Sequence, residues 1–336
     1  MSNFPIPAIV LGASGYVGAE FIRLILGHPR FSLACATSDS FANATLVSHF
    51  PHLSVQLTGE TFQPLARAFE IAESGSEVAV FSALPHGEAA PILGCLIDKA
   101  PHAKIVDASA DMRFPGSNEW DDQFTCALPD LLPTAPTPHI AHPGCFTTAV
   151  TLGLAGLLAT GLAHPKFQAS AITGSTGSGK TPGAGTHHPH RNSSLWAYQP
   201  LTHRHSREMK MLLSRYGEEV DLAFVPHSGP FARGIHATLF GELKDLTPLE
   251  NVVKSIQDFY SNSPFISVSA NPPTLKEVVG SNRCHIGIAV EGSQIVVTSV
   301  IDNLVKGAAG GAMQWMNRLF GIAETEGLNV AMPGWL

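Results

Sequence analysis

No run of lysine and arginine occurs in the 336 residues, and charged side chains make up only 14% of them. With a formal net charge of -7, the chain offers nucleic acid or an anionic membrane little electrostatic purchase. Cysteines at CxxC spacing are also missing. The five present, Cys35, Cys95, Cys126, Cys145 and Cys284, are odd in number and scattered. That argues against a disulfide framework or a zinc ribbon and points to a reducing cytoplasm. The opening residues lack the basic flank of a signal peptide. The longest uncharged stretch, 146–163, sits at the lower limit for a membrane span. Rich in Thr, Gly and Ala, it reads as a buried helix. What remains is a weakly acidic, 44% hydrophobic chain long enough for two domains.

Ala8-Ile9-Val10-Leu11, bounded by Pro7 and Gly12, has the profile of a buried parallel strand. Gly12-Ala13-Ser14-Gly15-Tyr16-Val17-Gly18 follows, then apolar residues at helical spacing as far as Leu26. Strand, glycine turn and helix in that order are the context a dinucleotide fingerprint requires. Gly12 permits the tight turn, Gly15 lets the backbone approach a pyrophosphate, and Gly18 lets the helix pack close to the strand. The helix N-terminus then faces the phosphates, so this turn is the candidate cofactor cradle. A second strand at 33–36 ends in Thr37-Ser38-Asp39. Hydroxyls there suit the 2′-phosphate of NADP, which a carboxylate repels, while Asp39 keeps NAD open. Strands at 78–81 and 104–107, with a helix at 88–99 between them, continue the alternation. Loops after the strand C-termini line the crevice of an open parallel sheet, which makes Leu84, Pro85 and Ser109 candidate cofactor neighbours. The proline-rich stretch 128–138 reads as the linker out of this domain.

Cys145 stands apart from the other cysteines. His142-Pro143-Gly144 forces a turn after the strand-like 139–141, and 146–152 reads as a helix, so Cys145 falls at the helix N-terminus. The partial positive charge there favours thiolate over thiol and gives a nucleophile at neutral pH. A partner base is expected from His203-Arg204-His205 at the start of another helical segment. Side chains two apart on a helix diverge, so one imidazole is expected to face the sulfur, and the sequence does not choose between them. The histidines at 187, 188 and 190 enlarge the pool, but no zinc spacing occurs and no metal is expected.

Gly174-Ser175-Thr176-Gly177-Ser178-Gly179-Lys180-Thr181 matches the phosphate-loop pattern GxxxxGK[ST] at every position. Such a loop needs a helix opening at its Lys-Thr end. Pro182-Gly183-Ala184-Gly185 follows instead, so a P-loop phosphotransferase is the lesser reading. The loop is expected to bind an anion through its N–H groups and Lys180, near substrate or cofactor.

Together with Ala83-Leu84-Pro85-His86-Gly87, Ser109 to Phe114, Pro143-Gly144-Cys145-Phe146, His203-Arg204-His205, Pro226-His227, Arg233-Gly234-Ile235 and Ile301 to Gly307, the glycine turn makes the chain resemble the N-acetyl-gamma-glutamyl-phosphate reductase family of the semialdehyde dehydrogenase superfamily. The resemblance runs nearly end to end. It implies a Rossmann-type parallel-sheet domain formed by 1–142 and 307–336, plus an α+β catalytic domain with a largely antiparallel sheet over 143–306. It implies Cys145 as nucleophile, His203 as general acid/base with His205 nearby, and NADPH as cofactor. Gly12, Ser14, Gly15, Tyr16, Val17, Gly18, Ser38, Leu84, Pro85, Ser175, Gly177 and Asn303 would touch the cofactor, with Asn303 and Lys306 beside the nicotinamide. Ser109, Arg113, Lys180, Arg233 and Lys306 would face the substrate, a small acyl phosphate reduced to its semialdehyde during arginine biosynthesis. A dimer or tetramer is implied. The segment 186–195 departs from the commonest family pattern and is similar to relatives acting on carrier-bound aminoadipyl or glutamyl phosphates. An acidic carrier protein therefore stays open as a partner, and so does the acyl group.

Overall fold

The computed structural model describes residues 5–75, 77–217 and 219–330. The chain first alternates strand and helix: β1 (Ile6–Leu11), α1 (Tyr16–Leu26), β2 (Phe31–Ala36), the short α2 (Leu46–His49), α3 (Leu65–Ala72), β3 (Ala79–Ser82), α4 (Ala89–Lys99), β4 (Lys104–Asp107), β5 (Phe124–Cys126) and β6 (His139–Ala141). These strands form a six-stranded sheet in the order β2-β1-β3-β4-β6-β5, parallel at every pairing. Their near-continuous apolar runs follow from burial on both faces: every residue of β3 is buried, as are the last four of β1.

The chain then builds α5 (Cys145–Ala159), β7 (Lys166–Thr173), the one-turn α6 (His188–Arg191), β8 (Trp196–Ala197), α7 (His205–Leu213), β9 (Asp221–Ser228), β10 (Ile235–Glu242), α8 (Leu249–Phe259), β11 (Ile266–Ser269), β12 (Cys284–Glu291) and β13 (Gln294–Ile301). Their sheet runs β11-β12-β13-β10-β7-β9-β8. Only β11–β12 and β7–β9 pair in parallel, so this sheet is largely antiparallel. α5 lies across β10 and β13, buried on all sides for most of its length. The 146–163 stretch is thus a core helix as far as Ala159, and among the described residues no helix is long and apolar enough to cross a membrane. The opposite face of the sheet shows the alternation of half-covered strands, leaving Ile172, Val225 and Val296 half-buried and Phe240 exposed.

After β13 a π-turn at Val305–Ala309 leads into α9 (Gly310–Leu319), which packs on α1 and β4. The described residues divide into two compact units, 5–143 with 308–330 and 144–307. The proline-rich 128–138 stretch is not a linker, contrary to expectation. It lies inside the first unit between β5 and β6, which pair with each other. Donors on α9 fasten it through its own carbonyls and that of the residue before it: Trp315 Nε1 donates to Ala127, and Arg318 donates to Pro129 and Leu132.

Candidate active site

The glycine turn of the first unit is shaped by close approach. Gly12 has φ +69°, and a Cβ there would stand 2.6 Å from the Ala83 carbonyl oxygen and 3.0 Å from the Leu84 nitrogen. Gly18 presses on the Ala13 backbone, again at 2.6 Å for an added Cβ. Gly15 is different: it caps α1 in an extended conformation, and nothing approaches its missing side chain more closely than 4.0 Å. Tyr16 and Val17 open the helix, with Tyr16 exposed. Two glycines therefore shape the turn and the third leaves open space at a helix N-terminus, which fits a dinucleotide pyrophosphate.

At the end of β2 the two hydroxyls part company. Thr37 is buried and its Oγ1 accepts from the Gly12 N–H at 3.3 Å, so it braces the turn. Ser38 Oγ donates to Ser14 Oγ at 3.1 Å, pairing two of the predicted cofactor residues. Asp39 is exposed at the start of a short 3-10 turn. Leu84 and Pro85 follow β3 beside Gly12. Ser109 and Arg113 are both buried. Ser109, 1% exposed, donates to Asp107 Oδ2 at 2.5 Å. Arg113, 3% exposed, donates to the carbonyls of His142 and Ala108. Burial pushes the Asp107 carboxyl up, against the opposing hydrogen bonds of Ser109 and Ser82.

In the second unit, Cys145 is the first residue of α5, and Gly144, in an extended conformation, is its N-cap. The imidazole of His205 occupies the space a Gly144 Cβ would need, its Nε2 being the nearest atom. His203 and His205 stand together rather than diverging, with ring centroids 4.6 Å apart. The divergence expected on a helix does not apply, because α7 starts at His205 and His203 lies in the preceding turn. The main-chain N–H of His205 donates to His203 Nδ1 at 3.2 Å. Phe146, Tyr198 and Phe224 wall the pair. Burial, helped by Arg204 and opposed by Glu208, lowers His203 to about 4. The Tyr198 hydroxyl is pushed up, chiefly by burial and then by Cys145.

Glu208 was not singled out from the sequence and belongs to this site. It is 1% exposed, and its Oε2 accepts from the Gly144 N–H and from Thr147 Oγ1, both at 2.9 Å. The positive end of α5 is therefore shared between this carboxylate and the sulfur. The available signal was its spacing: Glu208 stands three residues after His205, on the same face of α7.

The phosphate-loop look-alike forms a 3-10 turn at Ser175–Ser178, and Gly179 takes φ +81°. The expected cradle of N–H groups is not found at four of its residues. Ser175 and Thr176 donate to the carbonyls of Phe231 and Ala232, where the loop folds back on 231–234, and Gly177 and Gly179 donate to Gly174 and Thr176 within the loop. Lys180 is exposed. Asn303 clamps the same loop, its Nδ2 donating to Thr176 Oγ1 at 3.0 Å while its Oδ1 accepts from Gly234. Arg233 makes a two-pronged ion pair with the fully buried Asp302, at 3.0 and 3.2 Å, and keeps 27% of its side chain exposed. Lys306 is buried, with Nζ 5.4 Å from the Phe265 ring centroid. Cys145, His203, His205, Asn303, Arg233 and Lys306 thus all belong to one unit. Among the described residues, no group of three or more His, Cys, Asp or Glu side chains is arranged to hold a metal ion.

A family model described as "Semialdehyde dehydrogenase, NAD binding domain" matches residues 7–137, and one described as "Semialdehyde dehydrogenase, dimerisation domain" matches 145–303. Curated proteins named N-acetyl-gamma-glutamyl-phosphate reductase are similar nearly end to end. The protein from Pseudomonas fluorescens is 36% identical, with 96% of this chain and 97% of the relative covered. The one from Flavobacterium johnsoniae is 33% identical over 97% and 98%. Among solved structures, aspartate semialdehyde dehydrogenase II of Vibrio cholerae aligns with a TM-score of 0.74 at 14% identity, covering 94% of this chain and 98% of that one. The Candida albicans enzyme, solved with NADP, aligns at 0.68 and 16%, covering 96% and 99%. At such identities these structures speak for the fold alone. The sequence relatives and the matched models speak for the family: the chain belongs to the N-acetyl-gamma-glutamyl-phosphate reductase family of semialdehyde dehydrogenases, and is an oxidoreductase.

Proposed function

We propose that the protein reduces N-acetyl-gamma-glutamyl phosphate to the semialdehyde with NADPH, releasing phosphate through a thioester on Cys145, as a step of arginine biosynthesis in the cytoplasm. The observation that carries this reading is a cysteine at the first position of a buried helix, with an imidazole seated over the residue before it. The names of the sequence relatives support the substrate. The Ser14–Ser38 hydroxyl pair, with Asp39 turned to solvent, supports NADPH over NADH.

Cys145 thiolate attacks the acyl carbon, the bond to the phosphate oxygen breaks, and a proton passes to the departing phosphate. The cofactor, when bound, would supply a hydride from its reduced nicotinamide. The thioester carbon takes that hydride, and the resulting oxyanion collapses with cleavage of the C–S bond, releasing aldehyde and restoring the thiolate. We assign the proton transfers to His205. Burial keeps His203 neutral at working pH, and its Nδ1 accepts the His205 N–H, so its own proton sits on Nε2 as a hydrogen-bond donor. Asn303 and Lys306 are retained as residues of the nicotinamide side, and Arg233 as a contact of the substrate.

The test is the reverse reaction: a rise in absorbance at 340 nm on adding NADP, phosphate and a panel of N-acyl semialdehydes. N-acetyl-glutamate semialdehyde is expected to be the best substrate. Cys145→Ser should abolish turnover, and near-wild-type activity in that variant removes the covalent scheme. His205→Asn should slow turnover by about 10² to 10⁴. A larger loss in His203→Asn would exchange the two roles. ATP turnover is not expected, since no helix opens after Lys180.

A carrier-bound acyl group draws less support. Arg191, which would lead a cationic patch at 187–191, is buried and donates to Ser228 Oγ and the Gly229 carbonyl. The description of the 145–303 match supports a homodimer formed through the second unit, whose sheet keeps Ile172, Val225, Phe240 and Val296 on a half-open face. Light scattering should return at least twice the 35.6 kDa chain mass, and a monomer would remove the dimer.

A further inference from the structure

We propose that Gly307 is a positioning residue for Cys145, and that the π-turn Val305–Ala309 serves to press main chain against the nucleophile. A Cβ on Gly307 would stand 2.8 Å from the Cβ of Cys145 and 3.1 Å from its Cα, with Ile301 Cδ1 at 3.3 Å. Carbon atoms in good contact stand about 3.5–4.0 Å apart. The two Cys145 atoms are the stem of the side chain and the start of a helix, and neither can swing aside as the tip of a long side chain can. Gly307 is not among the glycines at positive φ, so its own dihedral angles do not demand glycine. The demand comes from what stands opposite.

The turn is anchored firmly enough to act as a wall. The Gly307 N–H donates to the Asp302 carbonyl at 2.9 Å. Leu304 and Val305 donate to Asp302 Oδ1 at 2.8 and 3.0 Å, while Oδ2 accepts from Arg233 at 3.0 Å and from the Gly280 N–H at 2.6 Å. A π-turn inserts one extra residue into a helical ladder, and such irregularities persist mostly where function repays them. On the other side, Glu208 holds the Gly144 N–H and His205 fills the space over Gly144. Sγ is thereby aimed from both directions.

This inference rests on Cys145 being the nucleophile, and the test separates the two ideas. In Gly307→Ala, kcat should fall by about a hundredfold with KM for the acyl phosphate little changed, since a misplacement near 1 Å can cost that much. The pH profile of Cys145 alkylation by iodoacetamide should shift as well. Gly27→Ala, at the end of α1 with nothing nearer than 3.7 Å to the added Cβ, is the control and should keep both the rate and the profile. A folded Gly307→Ala protein with wild-type kcat and alkylation profile overturns the proposal. Should that variant fold poorly, the stability of Cys145→Gly/Gly307→Ala decides: with the opposing Cβ gone the alanine should cost less than in the wild type, and additive losses overturn the proposal. Turnover surviving in Cys145→Ser would instead remove the nucleophile on which the inference stands.

Discussion

One oxygen of Glu208 satisfies two buried donors, Gly144 N–H and Thr147 Oγ1, across more than sixty residues of chain. Truncation to alanine leaves both donors unpaired, at about 1–3 kcal/mol each, so denaturant unfolding of Glu208→Ala should show a loss of about 2–6 kcal/mol. Glu208→Gln keeps an acceptor and should lose less. Thr151 presents the opposite case. Its hydroxyl, fully buried within α5, finds no partner among the described residues. Thr151→Val should therefore raise unfolding free energy by about 1 kcal/mol, read from the denaturant midpoint at constant slope. At this scale Cys145 was legible and Glu208 was not, for one reason. A Pro-Gly turn before a helical pattern marks the helix-start cysteine locally, whereas the worth of Glu208 lies wholly in partners distant along the chain. The two histidines fell between. Their nearness in sequence was plain, but their nearness in space depended on where α7 begins.

Among elements, the glycine turn allows a sharper experiment than its motif suggests. Gly18 meets the Ala13 backbone, which cannot yield, so Gly18→Ala should destabilise the first unit by about 1–3 kcal/mol. Gly15 meets nothing, so Gly15→Ala should leave the melting temperature near wild type and weaken dinucleotide binding instead. Calorimetric titration with NADP beside thermal unfolding separates the two, and an equal loss of stability in both variants would contradict this division. The strands of the first unit other than β5 were readable as short apolar runs because both faces of a parallel sheet are covered, whereas the three residues of β5 are too short a run to stand out. The order of the second sheet was not, since its pairings join β7 to β10 and β12 to β11 across loops and helices that carry no local record of register. The 174–181 loop shows how a pattern can match at every letter and still differ in structure: its N–H groups bind its own neighbours.

At the scale of the whole molecule, two buried histidines tie stability to pH. His139, in the first unit, and His203, in the second, are each lowered to about 4 from 6.5, chiefly by burial. The unfolded chain therefore binds protons that the folded chain refuses. The stability they contribute is fully present above pH 6.5 and is lost as pH falls toward 4, with a slope of up to about 1.4 kcal/mol per pH unit for each ring. Urea unfolding at pH 7.5 and pH 5 should show the decline, and His139→Gln should flatten part of it. A slope unchanged by that substitution would place the protons elsewhere. The return of α9 to the first unit could be expected from family resemblance, because nothing in the composition of 310–319 says which unit its apolar face will cover.

That return has a consequence for synthesis. On the ribosome, β1 to β6 emerge first, yet Trp315 and Arg318, which fasten the segment after β5, are made only after the whole of the second unit. A nascent chain carrying 5–143 must wait with the surface meant for α9 uncovered while more than one hundred and sixty further residues are translated. Chaperone engagement during that interval, and degradation of chains that stop short of residue 310, are the cellular costs of closing one unit with a segment made after the other.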